Sequence, residues 1–316
     1  MAMHATFVLP APNGCNLACP YCIIAQRKEA EQSWLTFEDY FRFLADVLTH
    51  LKVGRVSIQG FEPLLPEVWP TTRRLLKLSS VFFAQTGLVT NGTYLAENAA
   101  DNAGLCDQVV VSLDSAQAHI HDKLRRVQGS FASARKGIEA ALEANSGKGV
   151  IVNSVLLPGK ADYLAGMPQL LQELGVVEWV ISPMLSVEKK FYRPELRFVK
   201  ETILRYSDEA QAYGVQVLLS DELRTTEEME IFNTLTIRSL GEDDGIFRLS
   251  PDGSCSRGRE ILGLSSNSPK WDKVEQPSVF LRRIFADIDQ PLRERTRWGS
   301  ALARWNAGRH CRAHAA

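Results

Sequence analysis

The sequence lacks a dominant charge of one sign, a long uninterrupted hydrophobic run and a dense set of cysteines. Its 316 residues carry 36 basic and 37 acidic side chains, for a net charge of -1. This balance excludes a general electrostatic attraction to nucleic acid or to an anionic membrane. Residues 5–26 contain no charged side chain, but prolines and asparagines interrupt them and no basic segment precedes them. We therefore expect a cytoplasmic protein with no membrane span and no signal peptide.

Short apolar runs alternate with amphipathic stretches of helical period along most of the chain, and each run ends in polar turn residues. This pattern predicts strand–helix units around a parallel sheet. We expect an α/β fold: a partial (β/α)6 TIM-like barrel over residues 1–220, followed by a small C-terminal α+β domain over residues 221–316 that binds or caps the substrate. The predicted strands lie at 7–9, 55–59, 87–89, 108–111, 149–153 and 177–181, and the main helices begin at Thr36 or span 130–144, 161–174 and 194–213.

Three of the six cysteines, Cys15, Cys19 and Cys22, lie on one short loop directly after the first predicted strand. Three thiolates can hold three irons of a cubane iron–sulfur cluster and leave the fourth iron open for chemistry. A structural zinc site normally takes four ligands, so zinc is a weaker alternative. A disulfide is weaker still, because an odd cysteine triplet without a secretion signal fits a reducing compartment.

Polar motifs follow the next strands, where a parallel barrel would bring them to one rim. With the cysteine loop, these motifs resemble the radical S-adenosylmethionine (SAM) superfamily over about residues 6–220. The matching segments are Cys15–Cys22, Gly60-Phe61-Glu62-Pro63, Val89-Thr90-Asn91-Gly92, Val111-Ser112-Leu113-Asp114, and His121–Arg125 leading to Gly129-Ser130-Phe131.

The resemblance implies a [4Fe-4S] cluster held by Cys15, Cys19 and Cys22, with SAM chelating the fourth iron. An external electron donor such as flavodoxin or ferredoxin would reduce the cluster. Cleavage of SAM would then yield a 5'-deoxyadenosyl radical that removes a hydrogen atom from the substrate.

The same resemblance assigns further residues to SAM binding. It places Tyr21 near the adenine and uses the turn Gly60, Phe61, Glu62 and Pro63 for the methionine amino group. Ser112 and Arg125 would hold the carboxylate or the ribose, and Asp114 and Asn153 would complete the shell. Phe61 departs from the family's Gly-Gly-Glu-Pro turn, so the backbone there must suit a bulky side chain.

The C-terminal part is acidic and poor in cysteine. From Asp221 to Asp244 eight acidic residues face only two basic ones, which indicates either a solvated surface or a wall for a polycationic substrate. Only Cys255 and Cys311 lie beyond residue 106, so an auxiliary cluster is not favoured. Cys255 is instead a candidate hydrogen-atom donor to a substrate radical; the alternative is a buried structural thiol.

This layout is similar to that of the radical SAM epimerases of aminoglycoside biosynthesis, of the neomycin type. The resemblance implies inversion of one carbon of a small cationic aminosugar, with hydrogen returned by Cys255. A radical dehydrogenase and a peptide-modifying enzyme remain alternatives. An iron–sulfur protein without turnover has no need of Glu62, Ser112 and Arg125 around the loop.

Overall fold

The computed structural model describes residues 3–25, 35–82, 84–145, 149–184, 195–219, 238–239, 246–257 and 269–284. The strands within these residues are β1 (Met3–Leu9), β2 (Val53–Gly60), β3 (Gln85–Thr90), β4 (Gln108–Ser112), β5 (Val150–Leu156), β6 (Glu178–Pro183), β7 (Gln216–Leu219), β8 (Arg238–Ser239), β9 (Ile246–Leu249) and β10 (Cys255–Arg257). The α-helices are α1 (Phe37–His50), α2 (Trp69–Val81), α3 (Ala99–Leu105), α4 (Ala118–Arg125), α5 (Ser130–Ala144), α6 (Met167–Leu174), α7 (Leu196–Gln211) and α8 (Pro277–Ile284).

The described strands form one sheet in the order β10-β9-β1-β2-β3-β4-β5-β6-β7-β8. Every pairing from β9 to β8 is parallel, and only β10 runs antiparallel to its neighbour. The sheet is not closed into a full barrel. The predicted α/β fold with a partial TIM-like barrel is therefore confirmed, and all six predicted strands are present.

The two faces of the sheet carry separate apolar clusters. On the outer face, Phe7 of β1 makes edge-to-face ring contacts with Tyr40 and Phe43 of α1, so this face is covered by helices. On the inner face, Ile151 and Val180 form a small second cluster. Side chains alternate along a strand, so the outer cluster fixes which residues of each strand point into the barrel.

Local sequence signals explain some of the helix boundaries. Thr36 caps α1 in a capping box with Asp39, as its position before the amphipathic stretch predicts. Helix α5 spans the predicted residues 130–144. The continuous helix predicted over 161–174 is wrong. A short 3-10 turn occupies Asp162–Leu164, and α6 begins only after Gly166, whose left-handed conformation (φ +77°) interrupts the helix.

Part of the predicted C-terminal domain extends the barrel sheet. Strand β9 pairs with β1, and α8 returns to α1, where Ser278 N donates to Asp46 Oδ2 at 2.7 Å. The boundary at residue 220 stays a prediction. The eight acidic residues of 221–244, as well as Cys311, lie outside the described residues. In the described part of the chain, no helix is long and apolar enough to cross a membrane.

Candidate functional site

The cysteine loop leaves the end of β1 and is held against the end of α4. A turn closed by Gly14 N donating to Ala11 O starts the loop. Ala18 N then donates to the main-chain oxygen of Arg125 at 3.2 Å. The three loop cysteines are half-buried and unpaired. The fold therefore presents three free thiols at the carboxyl ends of the parallel strands.

Neutral groups make the direct hydrogen bonds to the first cysteine. Leu17 N donates to Cys15 Sγ at 3.4 Å, and Asn91 Nδ2 lies 3.7 Å from the same sulfur. The thiol itself donates to the Phe61 carbonyl at 3.3 Å. Burial raises the pKa of Cys15 to about 11, and the nearby carboxyl of Glu62 adds to the effect.

The other two cysteines receive different donors. Ala25 N donates to Cys22 Sγ at 3.5 Å, whereas the guanidinium Nη1 of Arg125 donates to Cys19 Sγ at 3.8 Å. Burial raises the pKa of Cys19, and the positive charge of Arg125 opposes that rise. Cys19 is thus the loop cysteine that contacts a full charge.

These thiols suit a cluster better than a single ion. In the described residues, no three His, Cys, Asp or Glu side chains converge closely enough to hold one metal ion. The three sulfurs are nevertheless near enough for their charges to interact. A cubane binds its cysteines on separate irons, so its ligands need not converge on one point. This donor set fits a [4Fe-4S] cluster.

The turn after β2 is built around a buried carboxylate. Glu62 is 1% exposed, and its two oxygens accept hydrogen bonds from Leu64 N (3.0 Å), Thr90 Oγ1 (2.6 Å) and Asn91 N (2.7 Å). Burial raises the pKa of Glu62 to about 6, although these hydrogen bonds oppose the shift. Glu62 therefore ties the end of β2 to the end of β3, a role that the motif alone does not reveal.

The residues beside Glu62 show how close the chain segments approach. A Cβ on Gly60 would lie 2.3 Å from Leu9 O, so only glycine fits where β2 passes β1. Arg126 and Lys273 are the only non-glycine residues with positive φ in the described part of the chain. Phe61 therefore has an ordinary backbone conformation, as a bulky residue requires.

A chain of amides behind Cys15 was not anticipated from the sequence. Asn91 Nδ2 donates to Asn16 Oδ1 at 2.8 Å, and Asn16 Nδ2 donates to Thr93 Oγ1 at 2.8 Å. Thr93 Oγ1 in turn donates to Asn91 Oδ1 at 2.6 Å. The three side chains close a ring that orients the amide beside the sulfur. The only sequence signal was the recurrence of asparagine in the loop and after β3.

Arg125, Asp114 and Tyr21 form a buried cluster on the other side of the loop. Arg125 Nε lies 2.6 Å from Asp114 Oδ2, with both side chains buried, and the Tyr21 hydroxyl donates to the same oxygen. The other oxygen of Asp114 accepts from Val155 N at 3.0 Å. Burial alone would raise the pKa of Asp114, but the Arg125 charge and these hydrogen bonds hold it below its ordinary value.

Two neighbouring side chains fix α4 and α5 beneath this cluster. His121 Nδ1 accepts from Asp114 N at 3.1 Å, and burial lowers the pKa of His121 to about 4, so the ring is neutral at pH 7. Asp122 accepts from Gly129 N, Ser130 Oγ and Phe131 N at the start of α5. The matching His121–Arg125 and Gly129–Phe131 segments are therefore one structural unit.

A row of neutral polar side chains faces the barrel interior at the same rim. Ser112 of β4 and Asn153 of β5 are paired in register, and both are half-buried. Ser182 of β6 donates to Asn153 Oδ1 at 2.7 Å. Sequence reasoning selected Ser112 and Asn153 but not Ser182, although it likewise ends a strand.

The structure does not bring Cys255 together with these residues. Cys255 opposes Leu249 in the antiparallel pair of β10 and β9, so the two side chains share a face. Leu249 in turn lies beside Phe7, whose ring contacts α1. Cys255 is fully buried in this outer cluster, where burial alone raises the pKa of its thiol. This placement is that of a packed thiol, on the face opposite the barrel interior.

Comparisons with known proteins agree with this geometry. The family model described as "Radical SAM superfamily" matches residues 9–162. A probable GTP 3',8-cyclase of Methanopyrus kandleri is 30% identical over 297 residues, which cover 90% of this chain and 86% of that protein. The subtilosin biosynthesis protein AlbA of Bacillus subtilis is 31% identical over 44% of this chain but only 30% of its own length.

Solved structures share the fold. Streptococcus suis SuiB bound to S-adenosylmethionine superposes with a TM-score of 0.65 at 15% identity, over 92% of this chain and 67% of that one. SuiB bound to its precursor peptide SuiA gives a TM-score of 0.62 at 16% identity, over 89% and 64%. At such identities the likeness supports the fold, and the cysteine loop with its rim supports the chemistry.

Proposed function

This chain belongs to the radical SAM superfamily, and we propose that it removes a hydrogen atom from a carbon of a sugar-containing small molecule. The superfamily uses a [4Fe-4S] cluster and SAM, which together supply one-electron chemistry that ends in hydrogen-atom abstraction from a substrate. The observation that carries the proposal is the rim itself: three free cysteines and a row of neutral polar side chains lie at the same end of the parallel strands.

Each part of the rim has a distinct task. Cys15, Cys19 and Cys22 would hold the cluster. Glu62 keeps its turn fixed while accepting three hydrogen bonds from the protein, so main-chain groups of the turn would be left to meet the SAM amino group. Arg125 has a buried Nη2 without a hydrogen-bond partner in the described part of the chain, and this group can donate to a carboxylate. Tyr21, whose ring centroid lies 5.6 Å from Arg125 Cζ, would lie near the adenine, as the resemblance implies.

The substrate class is supported by the polar row and by the relative that spans most of the chain. Ser112, Asn153 and Ser182 offer neutral donors and acceptors toward the barrel interior, which suit hydroxyl groups. The resemblance assigns Ser112 and Asn153 to SAM, so the substrate would share this row with the cofactor. The name of the Methanopyrus kandleri relative, a probable GTP 3',8-cyclase, gives position 3' of a nucleotide as one site of that protein's reaction. A reaction at a sugar carbon is common to that name and to the aminosugar epimerisation expected from the sequence layout.

The narrower form of the proposal is an aminosugar epimerase, which needs a hydrogen donor to quench the substrate radical. The role of Cys255 as that donor stays a prediction, and the packing described above counts against it. A dehydrogenase needs no such donor, because its substrate radical is oxidised by one electron, which a cluster would accept. Ring formation moves the unpaired electron to another atom of the product, where one electron and one proton must still be supplied. The geometry therefore favours an outcome other than quenching by Cys255.

A peptide-modifying function is the second candidate. SuiB is solved with a precursor peptide, and AlbA acts in the biosynthesis of a bacteriocin. The fold likeness and the partial match of AlbA support this candidate less than the nearly full-length relative supports a small molecule.

Turnover under anaerobic conditions tests the proposal. The enzyme is supplied with SAM and dithionite in deuterium oxide and offered nucleoside triphosphates, aminoglycosides or short peptides. We expect deoxyadenosine formation to be stimulated by a sugar-containing compound. One incorporated deuterium in an otherwise unchanged product indicates epimerisation, and a product two mass units lighter indicates dehydrogenation. Stimulation by peptides alone would overturn the proposal in favour of peptide modification.

A further inference from the structure

We propose that Arg125 sets the reduction potential of the cluster through its contact with Cys19, and that Asp114 and Tyr21 are positioning residues that hold the guanidinium in place. The inference concerns the cofactor site of the superfamily. It does not depend on whether the substrate is a sugar or a peptide.

The contact with Cys19 differs from those at the other loop cysteines. In the described residues, Cys15 receives N–H groups from a main-chain amide and from the Asn91 side chain, and Cys22 receives a main-chain amide. Cys19 receives an N–H from a guanidinium, at 3.8 Å. Hydrogen bonds and net charge at cluster sulfurs set the reduction potential of iron–sulfur clusters. A positive group beside one sulfur stabilises the reduced, more negative cluster and so raises its potential.

Arg125 has little freedom to adopt another position. Its Cζ lies 5.6 Å from the centroid of the Tyr21 ring, and its Nε lies 2.6 Å from Asp114 Oδ2. Its own main-chain oxygen accepts from Ala18 N in the cysteine loop. The same residue is therefore fixed to the loop by its backbone and aimed at the loop by its side chain.

The sequence resemblance placed Asp114 in the SAM-binding shell, and the structure gives it a different task. One carboxylate oxygen accepts from the Tyr21 hydroxyl and faces Arg125 Nε, while the other accepts from Val155 N. Asp114 is fully buried. Its bonding capacity is directed at the protein, so it acts on the cofactor through Arg125.

The charge of Asp114 and its positioning effect predict opposite results, which makes the inference testable. The Asp114 carboxylate also acts on Cys19, but the Arg125 charge has the larger influence on that thiol. If Asp114 acted by charge alone, its neutralisation would raise the cluster potential. If it holds Arg125 against Cys19, Asp114→Asn releases the guanidinium and the potential falls.

The experiment is an anaerobic redox titration of the cluster followed by electron paramagnetic resonance, with the full-length holoenzyme and without SAM. We expect Arg125→Gln to reduce the ratio of reduced to oxidised cluster at a fixed applied potential by about tenfold, which is about 59 mV for one electron. Asp114→Asn and Tyr21→Phe should shift the potential in the same direction by less. Lys123→Gln, which removes an exposed charge from the same helix, is the matched control and should leave the potential unchanged.

Iron content and circular dichroism establish that each variant is loaded and folded. Tyr21→Phe leaves the charge of Arg125 and the aromatic ring at position 21 in place, so this variant provides the test if Arg125→Gln fails to retain iron. An unchanged potential in Arg125→Gln, or in a loaded Tyr21→Phe variant, would overturn the inference, even if SAM binding weakened. A rise in Asp114→Asn would overturn the positioning role. None of these results depends on substrate turnover, so they leave the proposed function to its own test.

Discussion

Replacing Asp114 by Asn should destabilise the protein strongly, because the change breaks a buried ion pair while leaving its partner in place. Asn keeps the size of the side chain and an oxygen for Val155 N. With that oxygen on Val155 N, the amide nitrogen takes the other position and presents N–H groups to Arg125 Nε and the Tyr21 hydroxyl in place of an accepting oxygen. Arg125 then remains buried without its carboxylate partner.

The magnitude follows from the burial of both partners. Removing one partner of a buried ion pair typically costs about 3–5 kcal/mol. Unfolding entropy is about 2.1 cal/mol/K per residue, which for 316 residues amounts to about 0.7 kcal/mol/K. The expected fall in melting temperature is therefore about 4–8 °C.

Differential scanning calorimetry of the anaerobic holoenzyme measures this shift. Glu139→Gln is the matched comparison, because Glu139 pairs with Arg135 at 3.0 Å on the exposed face of α5. Pairs of that kind contribute about 0.3–0.5 kcal/mol, so this variant should melt within about 1 °C of the wild type. If Asp114→Asn were as mild as Glu139→Gln, the buried pair would not have the importance inferred here.

Three further changes test other parts of the structure. Burial raises the pKa of Glu62 to about 6, so the folded chain retains a proton that the unfolded chain releases near pH 4.5. The free energy of unfolding of the wild type should therefore fall by roughly 2 kcal/mol relative to that of Glu62→Gln between pH 4 and 7. Equilibrium urea denaturation measures this difference, and a difference that stays constant with pH would contradict the prediction. Gly60→Ala should lower the free energy of unfolding by at least about 1–3 kcal/mol, because the added Cβ would lie 2.3 Å from Leu9 O. A denaturation midpoint equal to that of the wild type would show that β1 and β2 can move apart at this point without strain. Cys255→Ala should cost about 0.5–1.5 kcal/mol in stability and leave SAM cleavage and product formation intact, whereas loss of inversion with intact cleavage would restore this thiol as the hydrogen donor.

The parts of the fold that could be predicted from sequence are those specified by local signals. The capping residue Thr36 and the apolar spacing after it locate α1, and the alternation of apolar runs with amphipathic stretches gives the parallel sheet. Polar residues after successive strands, such as Glu62 and Ser112, could be assigned to one rim because parallel strands end at the same edge. Gly166 shows the limit, since its choice of a left-handed conformation depends on the packing of the segments it joins.

Partners across long sequence distances could not be predicted. The face on which Cys255 lies depends on the register of β10, and a shift of one residue would turn the thiol to the opposite face. Likewise, nothing local to Asp114 indicates that its carboxylate meets Tyr21, 93 residues away. The resemblance to a family identified these positions as important, but the contacts determine what each one does.

The three hydrogen bonds accepted by Glu62 have a consequence for how this protein can vary. Thr90 supplies one of them from a neighbouring strand, and a carboxylate without that hydroxyl would be left with a weaker set of donors in a dry site. Substitution at either position therefore becomes tolerable chiefly when the other changes with it. Among natural or engineered variants, positions 62 and 90 should accordingly be inherited as matched pairs.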